Sequence, residues 1–112
     1  DHTTLTLAYT HSLFLTPQNE VYTIHAGSLI LREINFGNLE AAGYYDSNPL
    51  GGVHPEGGLW KINPPFPFHF SSLRVRIPTT VHFCLIINGS VVWTPRDKDR
   101  GALLIVRTGP GR

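Results

Sequence analysis

The chain contains few charged residues. They make up 15% of its 112 residues, well below the roughly 25% of an average soluble domain, and the formal net charge is +1 at pH 7. The nine lysines and arginines are spread among eight acids, so the basic stripe that nucleic-acid binding requires is missing. Little charge also leaves little repulsion between copies. We therefore expect no nucleic-acid partner.

Cysteine and long apolar runs are also scarce. The single cysteine, Cys84, excludes an internal disulfide, so the chain is not a small domain held together by disulfides. No apolar stretch approaches the roughly 20 residues of a membrane helix, and we expect no membrane partner. His82 and Cys84 could share an ion on one strand face, but the other histidines follow no ligand spacing. We expect no metal and no cofactor.

Catalytic motifs are missing as well. The chain has no nucleophile elbow, no Walker loop, no dinucleotide glycine fingerprint and no His-Glu-x-x-His helix. Its acids include no pair that the sequence singles out for the two-carboxylate chemistry of glycosidases. We therefore predict that the protein is not an enzyme and has no catalytic residues.

What the chain does have is a strong β signal, clearest at Asn88-Gly89. A two-residue Asn-Gly link between apolar runs predicts a β-hairpin with a type I′ turn, because both turn positions need positive φ. The simplest register pairs Ile87 with Ser90, Ile86 with Val91, Leu85 with Val92 and Cys84 with Trp93.

This register gives the hairpin two apolar faces. A sandwich of this size has one interior, so the second face needs a cover, which can be a loop, an arm or another subunit. Phe83, Leu85, Ile87 and Val92 are predicted on one face. The other face supplies our candidates for an assembly interface, which are Cys84, Ile86, Val91 and Trp93.

Residues 72–77 form the cleanest alternating stretch of the chain. Leu73, Val75 and Ile77 are predicted to point inward, and Arg74 and Arg76 to project together from the opposite face. These two arginines are candidates for contact with an acidic partner surface.

Further apolar runs bounded by turn residues include 20–25, 28–36, 59–62 and 102–108. Together they predict about eight strands and no sustained helix. We expect a single all-β domain over residues 1–112, an antiparallel β-sandwich of jelly-roll type, with an Ig-like sandwich as the alternative.

The stretch 37–58 is rich in glycine and has no sustained strand pattern, so we predict a long loop there. Tyr44, Tyr45 and Asp46 lie in it, and Trp60 follows closely. Aromatic rings beside a carboxylate are what a sugar site uses, so carbohydrate binding is an alternative function. The other interpretation is that Tyr44 and Tyr45 cover one end of the sandwich or contact a neighbouring subunit.

Residues 21–34 read Val-Tyr-Thr-Ile-His-Ala-Gly-Ser-Leu-Ile-Leu-Arg-Glu-Ile. They resemble the opening of small β-sandwich proteins of tailed-phage particles, in which a Tyr-Thr-Val-Pro-Ala-Gly-like turn leads into an apolar strand. The resemblance implies a non-enzymatic capsid decoration or tail-associated protein, assembled in the cytoplasm and located on the surface of a virion or extracellular particle. Its expected partners are further copies of itself and a larger protein shell or tail.

Overall fold

The computed structural model describes residues 3–10, 15–38, 53–64 and 68–109. They form ten strands, which are β1 (Thr4–Thr10), β2 (Pro17–His25), β3 (Ser28–Phe36), β4 (Val53–Glu56), β5 (Leu59–Ile62), β6 (Phe68–Phe70), β7 (Ser72–Arg76), β8 (Phe83–Ile87), β9 (Ser90–Trp93) and β10 (Leu103–Arg107). Helical structure in these ranges is limited to a 3-10 turn at Asp97–Asp99. The predicted all-β class is confirmed. No helix able to span a membrane occurs in the same ranges.

The strands form two antiparallel sheets. The large sheet has the order β4-β5-β3-β2-β1-β8-β9, and β6 pairs with β3 beside β5. The small sheet consists of β7 and β10. The antiparallel arrangement is therefore confirmed, with ten strands where about eight were expected. The jelly-roll topology stays a prediction.

Both sheets contribute to one hydrophobic core. Alternation along β1 places Leu5 and Leu7 on the inner face of the large sheet, and both are buried. Phe36 and Ile62, at the far side of the same sheet, are fully buried. From the small sheet, Leu73 joins this cluster. The small sheet thus covers part of the inner face of the large one.

The turn at Asn88-Gly89 forms as predicted, and Ala26-Gly27 makes a second turn, between β2 and β3. Asn88 and Gly89 have φ of 49° and 85°, and Ala26 and Gly27 have φ of 51° and 80°. Asn88 is also tied to β1, because its N–H donates to the carbonyl of Thr4 and its Oδ1 accepts from the Thr4 N–H, both at 2.9 Å. The turn therefore fixes the β8–β9 hairpin against the centre of the large sheet.

The hairpin register differs from the prediction beyond its first two pairs. Ile87 pairs with Ser90 and Ile86 with Val91 as expected, but the register then shifts and Leu85 pairs with Trp93. Val92 is the extra residue of a β-bulge. Trp93 therefore lies on the face of Leu85 and Phe83, and its ring meets that of Phe83 edge-on at 6.2 Å. The prediction that Trp93 shares a face with Cys84 was wrong.

The predicted loop at 37–58 is also corrected at its end. Residues 53–56 form β4, and Gly57 and Gly58, with φ of 61° and 84°, make the turn into β5. The pairing of β4 with β5 is what the sequence pattern did not indicate. Tyr44, Tyr45 and Asp46 lie outside the described residues.

Candidate functional site

The described structure contains a groove of about 510 Å³ beside β7. Its floor is the inner face of the large sheet, with Leu7, Tyr9, Tyr22 and Phe83 from β1, β2 and β8. One wall is formed by all five residues of β7, Ser72–Arg76. Because side chains from both faces of β7 line the groove, the groove contacts this strand along its edge. The groove therefore runs along the edge of β7 that faces away from β10.

Glu20 lies on the floor of the groove. In the β1–β2 register it is opposite Leu7, which places a carboxyl group on the inner face of the large sheet. The hydroxyl of Tyr22 donates to its Oε1 at 2.8 Å, and that of Tyr9 donates to its Oε2 at 2.5 Å. Gln18, only 2% exposed, donates to the Tyr9 oxygen at 2.9 Å. Two hydroxyls thus hold both carboxylate oxygens in place.

Aromatic rings flank this carboxylate. Tyr9 stacks with Phe83 at a centroid distance of 6.4 Å, and Tyr22 meets Phe70 edge-on at 6.2 Å. Such pairs are rigid and mostly apolar, with the tyrosine hydroxyls as polar handles. The groove therefore offers an apolar floor with one fixed negative group.

Along the groove, the backbone of β7 pairs with none of the described strands. The N–H of Ile77 donates to the carbonyl of Ala102 at 2.9 Å, so the backbone groups of Ile77 point towards β10. In an antiparallel ladder these groups alternate between the two sides of a strand. The N–H and C=O groups of Ser72, Arg74 and Arg76 consequently point away from β10. Among the described residues no strand pairs with this edge.

The outer face of the small sheet is basic. The pairs Arg74–Ile105 and Arg76–Leu103 share it, and Arg107 continues the same alternation along β10. Leu103 and Ile105 are 43% and 47% exposed. No ion pair of these arginines occurs in the described ranges. We call these five residues the arginine face. The predicted outward projection of Arg74 and Arg76 is seen in the structure.

The predicted interface residues of the hairpin fall into two groups. Cys84 is buried, and this burial raises the pKa of its thiol, while Trp93 lies on the inner face with Phe83. Ile86 is half-buried, and its partner Val91 is 60% exposed. Val92, at the bulge, is 53% exposed. Ile86, Val91 and Val92 form an apolar surface that we call the hairpin patch.

Of the predicted sugar-binding residues, the structure describes Trp60 alone. It lies on β5 opposite Phe36, is half-buried, and packs against the core. Part of its ring is therefore occupied by structural contacts.

A polar network surrounds Lys61 of β5. Its ammonium group donates to Glu33 Oε1 and to Glu56 Oε2, both at 3.1 Å. These hydrogen bonds raise the pKa of Lys61, and the hydrogen bond from Lys61, aided by its charge, lowers the pKa of Glu56. Because the three groups lie on strands β3, β4 and β5, the network ties the outer strands of the large sheet together.

We expect Lys61→Met to destabilise the protein over a defined pH window. Because the pKa of Glu56 is lowered from 4.5 in the fold, its contribution is present above that value and is lost as pH falls through the lower folded pKa. Because the pKa of Lys61 is raised from 10.5, its contribution is present below that value and is lost as pH rises through the higher folded pKa. The difference in thermal unfolding midpoint between wild type and variant should therefore shrink in acid.

The matched control is Lys98→Met, an exposed lysine of the 3-10 turn. It should change the midpoint little at any pH. A Lys61→Met deficit that persists undiminished at about pH 2, well below an ordinary glutamate pKa, would contradict the electrostatic origin of the effect.

The sequence reasoning missed the groove and Glu20. A signal existed, since Gln18, Glu20 and Tyr22 alternate with the same period as the core residue Ile24 and so share its face. Polar side chains on the inner face of a sheet indicate a region of that face that is not covered by apolar packing. The described ranges hold no group of three or more His, Cys, Asp or Glu residues that could bind a metal ion together.

Comparison with known protein families, with curated proteins and with solved structures found no match for this chain.

Proposed function

We propose that the chain is a non-enzymatic structural subunit of a symmetric assembly, a capsid decoration or tail-associated protein on the surface of a virion. Its fold on this proposal is a β-sandwich of jelly-roll type, with an Ig-like arrangement as the alternative. The resemblance of residues 21–34 to small proteins of tailed-phage particles supports the proposal that the assembly is a virion. The structural support is the exposed apolar surface on strands of both sheets.

The hairpin patch is the surface that contacts a second copy. Val91 and Val92 are more than half exposed on β9, which is an edge strand of the large sheet. An edge strand with apolar, uncharged side chains is a template for pairing with another chain. Burying 100 Å² of apolar surface contributes about 2.5 kcal/mol, against association costs of about 4–15 kcal/mol. About 160–600 Å² of buried apolar surface therefore only offsets the association cost, so a stable oligomer needs an interface that extends beyond the patch to more than about 1,000 Å² in total.

Light scattering at micromolar concentration tests this proposal. Wild type should be larger than the 12.5 kDa monomer, and Val91→Asp should reduce it to the monomer, because a carboxylate at the centre of an apolar contact is left unpaired. Ser90→Asp, one residue away and also exposed, should keep the oligomer. A wild-type protein that is strictly monomeric would remove the proposal.

Carbohydrate binding through Tyr44, Tyr45, Asp46 and Trp60 is the second candidate. Its remaining support in the described structure is the part of Trp60 that stays accessible. Binding to a glycan array that disappears in Trp60→Ala would favour it over assembly.

A further inference from the structure

We infer that the groove beside β7 accepts an extended acidic segment of a partner protein, which joins the small sheet as its third strand. This inference rests on the proposed assembly role and names the chemistry of the second partner, the shell or tail. The hairpin patch, which contacts another copy, lies on a different sheet.

The backbone of β7 supplies the first reason. Ser72, Arg74 and Arg76 direct three N–H and three C=O groups at the groove, and these are the groups that pair when a peptide adds to a sheet edge. The five residues of β7 span roughly 17 Å at about 3.3 Å per residue. A partner segment of five to seven residues therefore matches this edge in length.

The floor of the groove determines which residue types suit the inward-pointing positions of the added strand. A strand added about 4.8 Å from β7 continues the small sheet over Tyr9, Tyr22 and Phe83. Apolar side chains suit that floor, because they remove aromatic surface from water. Acidic side chains do not, since they would face Glu20, whose oxygens already accept hydrogen bonds from both tyrosines. Apolar residues are therefore required at every second position.

The arginine face determines which residue types suit the outward-pointing positions of the added strand. Side chains of the added strand that point outward lie beside Arg74 and Arg76, which are exposed and have no acidic partner among the described residues. Opposite charges on neighbouring strands attract, and like charges destabilise. A second copy pairing through its own β7 would set these arginines against each other. The charge pattern thus favours a foreign acidic strand over self-pairing at this edge.

The probe for the test is a capped seven-residue peptide that alternates valine with glutamate, labelled with fluorescein. Fluorescence anisotropy measures its binding to the full chain at low salt. A peptide of the same length that alternates valine with lysine is the control. We expect the glutamate peptide to bind at least tenfold more tightly. Equal binding of both peptides, or no binding of either, overturns the inference.

Two substitutions at one position separate the backbone from the charge. Arg74→Ala removes the charge but keeps the N–H that faces the groove, and should weaken binding a few-fold. Arg74→Pro removes the same charge and also this N–H, while the ladder with β10 is spared, because proline is tolerated where the N–H of an edge strand points outward. Arg74→Pro should bind at least tenfold more weakly than Arg74→Ala.

Equal affinity of these two variants would show that no strand pairs with β7 and would overturn the inference. If Arg74→Pro lowers the thermal unfolding midpoint, the pair Ser72→Pro and Ser72→Ala repeats the comparison at the next outward-facing N–H. Light scattering of the proline variant without peptide tests whether a second copy occupies the groove. An oligomer smaller than that of wild type would show that it does, and this result would contradict the inference.

Different measurements test the contact between copies and the binding of an acidic strand. Val91→Asp should change the oligomer and leave peptide binding as it is in wild type. A monomeric wild type would remove the assembly role, whereas loss of the tenfold preference would remove the acidic partner alone.

Discussion

Phe36→Ala should lower the free energy of unfolding by about 3–5 kcal/mol, the range found when a buried phenylalanine is truncated. Phe36 is fully buried at the end of β3, where it pairs with Gln18 of β2 and Trp60 of β5. Truncation leaves a cavity between three strands that are joined by backbone hydrogen bonds, so collapse of the site is limited. The free energy of unfolding of a domain of this size is about 5–15 kcal/mol in total. The variant could therefore lose most of its stability.

Urea unfolding followed by circular dichroism measures the change, provided that the slope m is unchanged. Phe36→Leu keeps most of the volume and should cost less than about 1.5 kcal/mol, which makes it the variant to use if the alanine form does not fold. Thr80→Ala, at an exposed position outside the strands, is the surface control and should stay within about 0.5 kcal/mol of wild type. A Phe36→Ala cost no larger than that of Thr80→Ala would contradict the burial of Phe36.

Gly37→Ala should destabilise the protein by about 1–3 kcal/mol, the usual cost of overpacking. A Cβ at this position would lie 2.9 Å from Pro17 Cδ and 3.1 Å from both the Pro17 carbonyl oxygen and Thr16 Cβ. The ring and the backbone cannot move aside as a flexible side chain would. The N–H of Gly37 also donates to the Pro17 carbonyl at 2.8 Å, so relief of the clash weakens this hydrogen bond.

Gly109→Ala is the matched control for Gly37→Ala. It makes the same change where a Cβ meets no atom within 4 Å and where the backbone is not left-handed, so its effect should lie within about 0.5 kcal/mol. Thermal unfolding of the two variants side by side is sufficient. Equal midpoints would show that the close approach of β2 to residue 37 does not exist in solution.

Local chemistry predicted those parts of the fold that depend on neighbours in the chain. Asn88, Gly89 and Gly27 adopt the positive φ that their residue types favour, and Ala26 adopts it although alanine does not favour it. The bulge at Val92 could not be predicted in the same way. It places the Trp93 ring against Phe83, and this contact depends on the packing of the inner face rather than on the turn. Tertiary packing thus altered a register that the turn alone would set.

The candidate site was less predictable because it depends on pairs far apart in sequence. Outward projection of Arg74 and Arg76 followed from alternation. Among the described strands β7 pairs with β10 alone, and this pairing depends on the topology of the fold rather than on the local sequence. The contacts of Glu20 with Tyr9 likewise depend on the β1–β2 register. Periodicity identifies the face of a strand, and it does not identify which edge stays unpaired.

The position of β1 inside the large sheet, between β2 and β8, has a consequence for biosynthesis. Thr4 is bonded to Asn88, 84 residues later in the chain. At a translation rate of about 5–20 residues per second, β1 waits roughly 4–17 s on the ribosome for this neighbour. During that interval one side of an apolar strand is uncovered, and strands in this state aggregate readily. Recombinant yield should therefore depend on growth temperature and on chaperones that shield extended nascent segments.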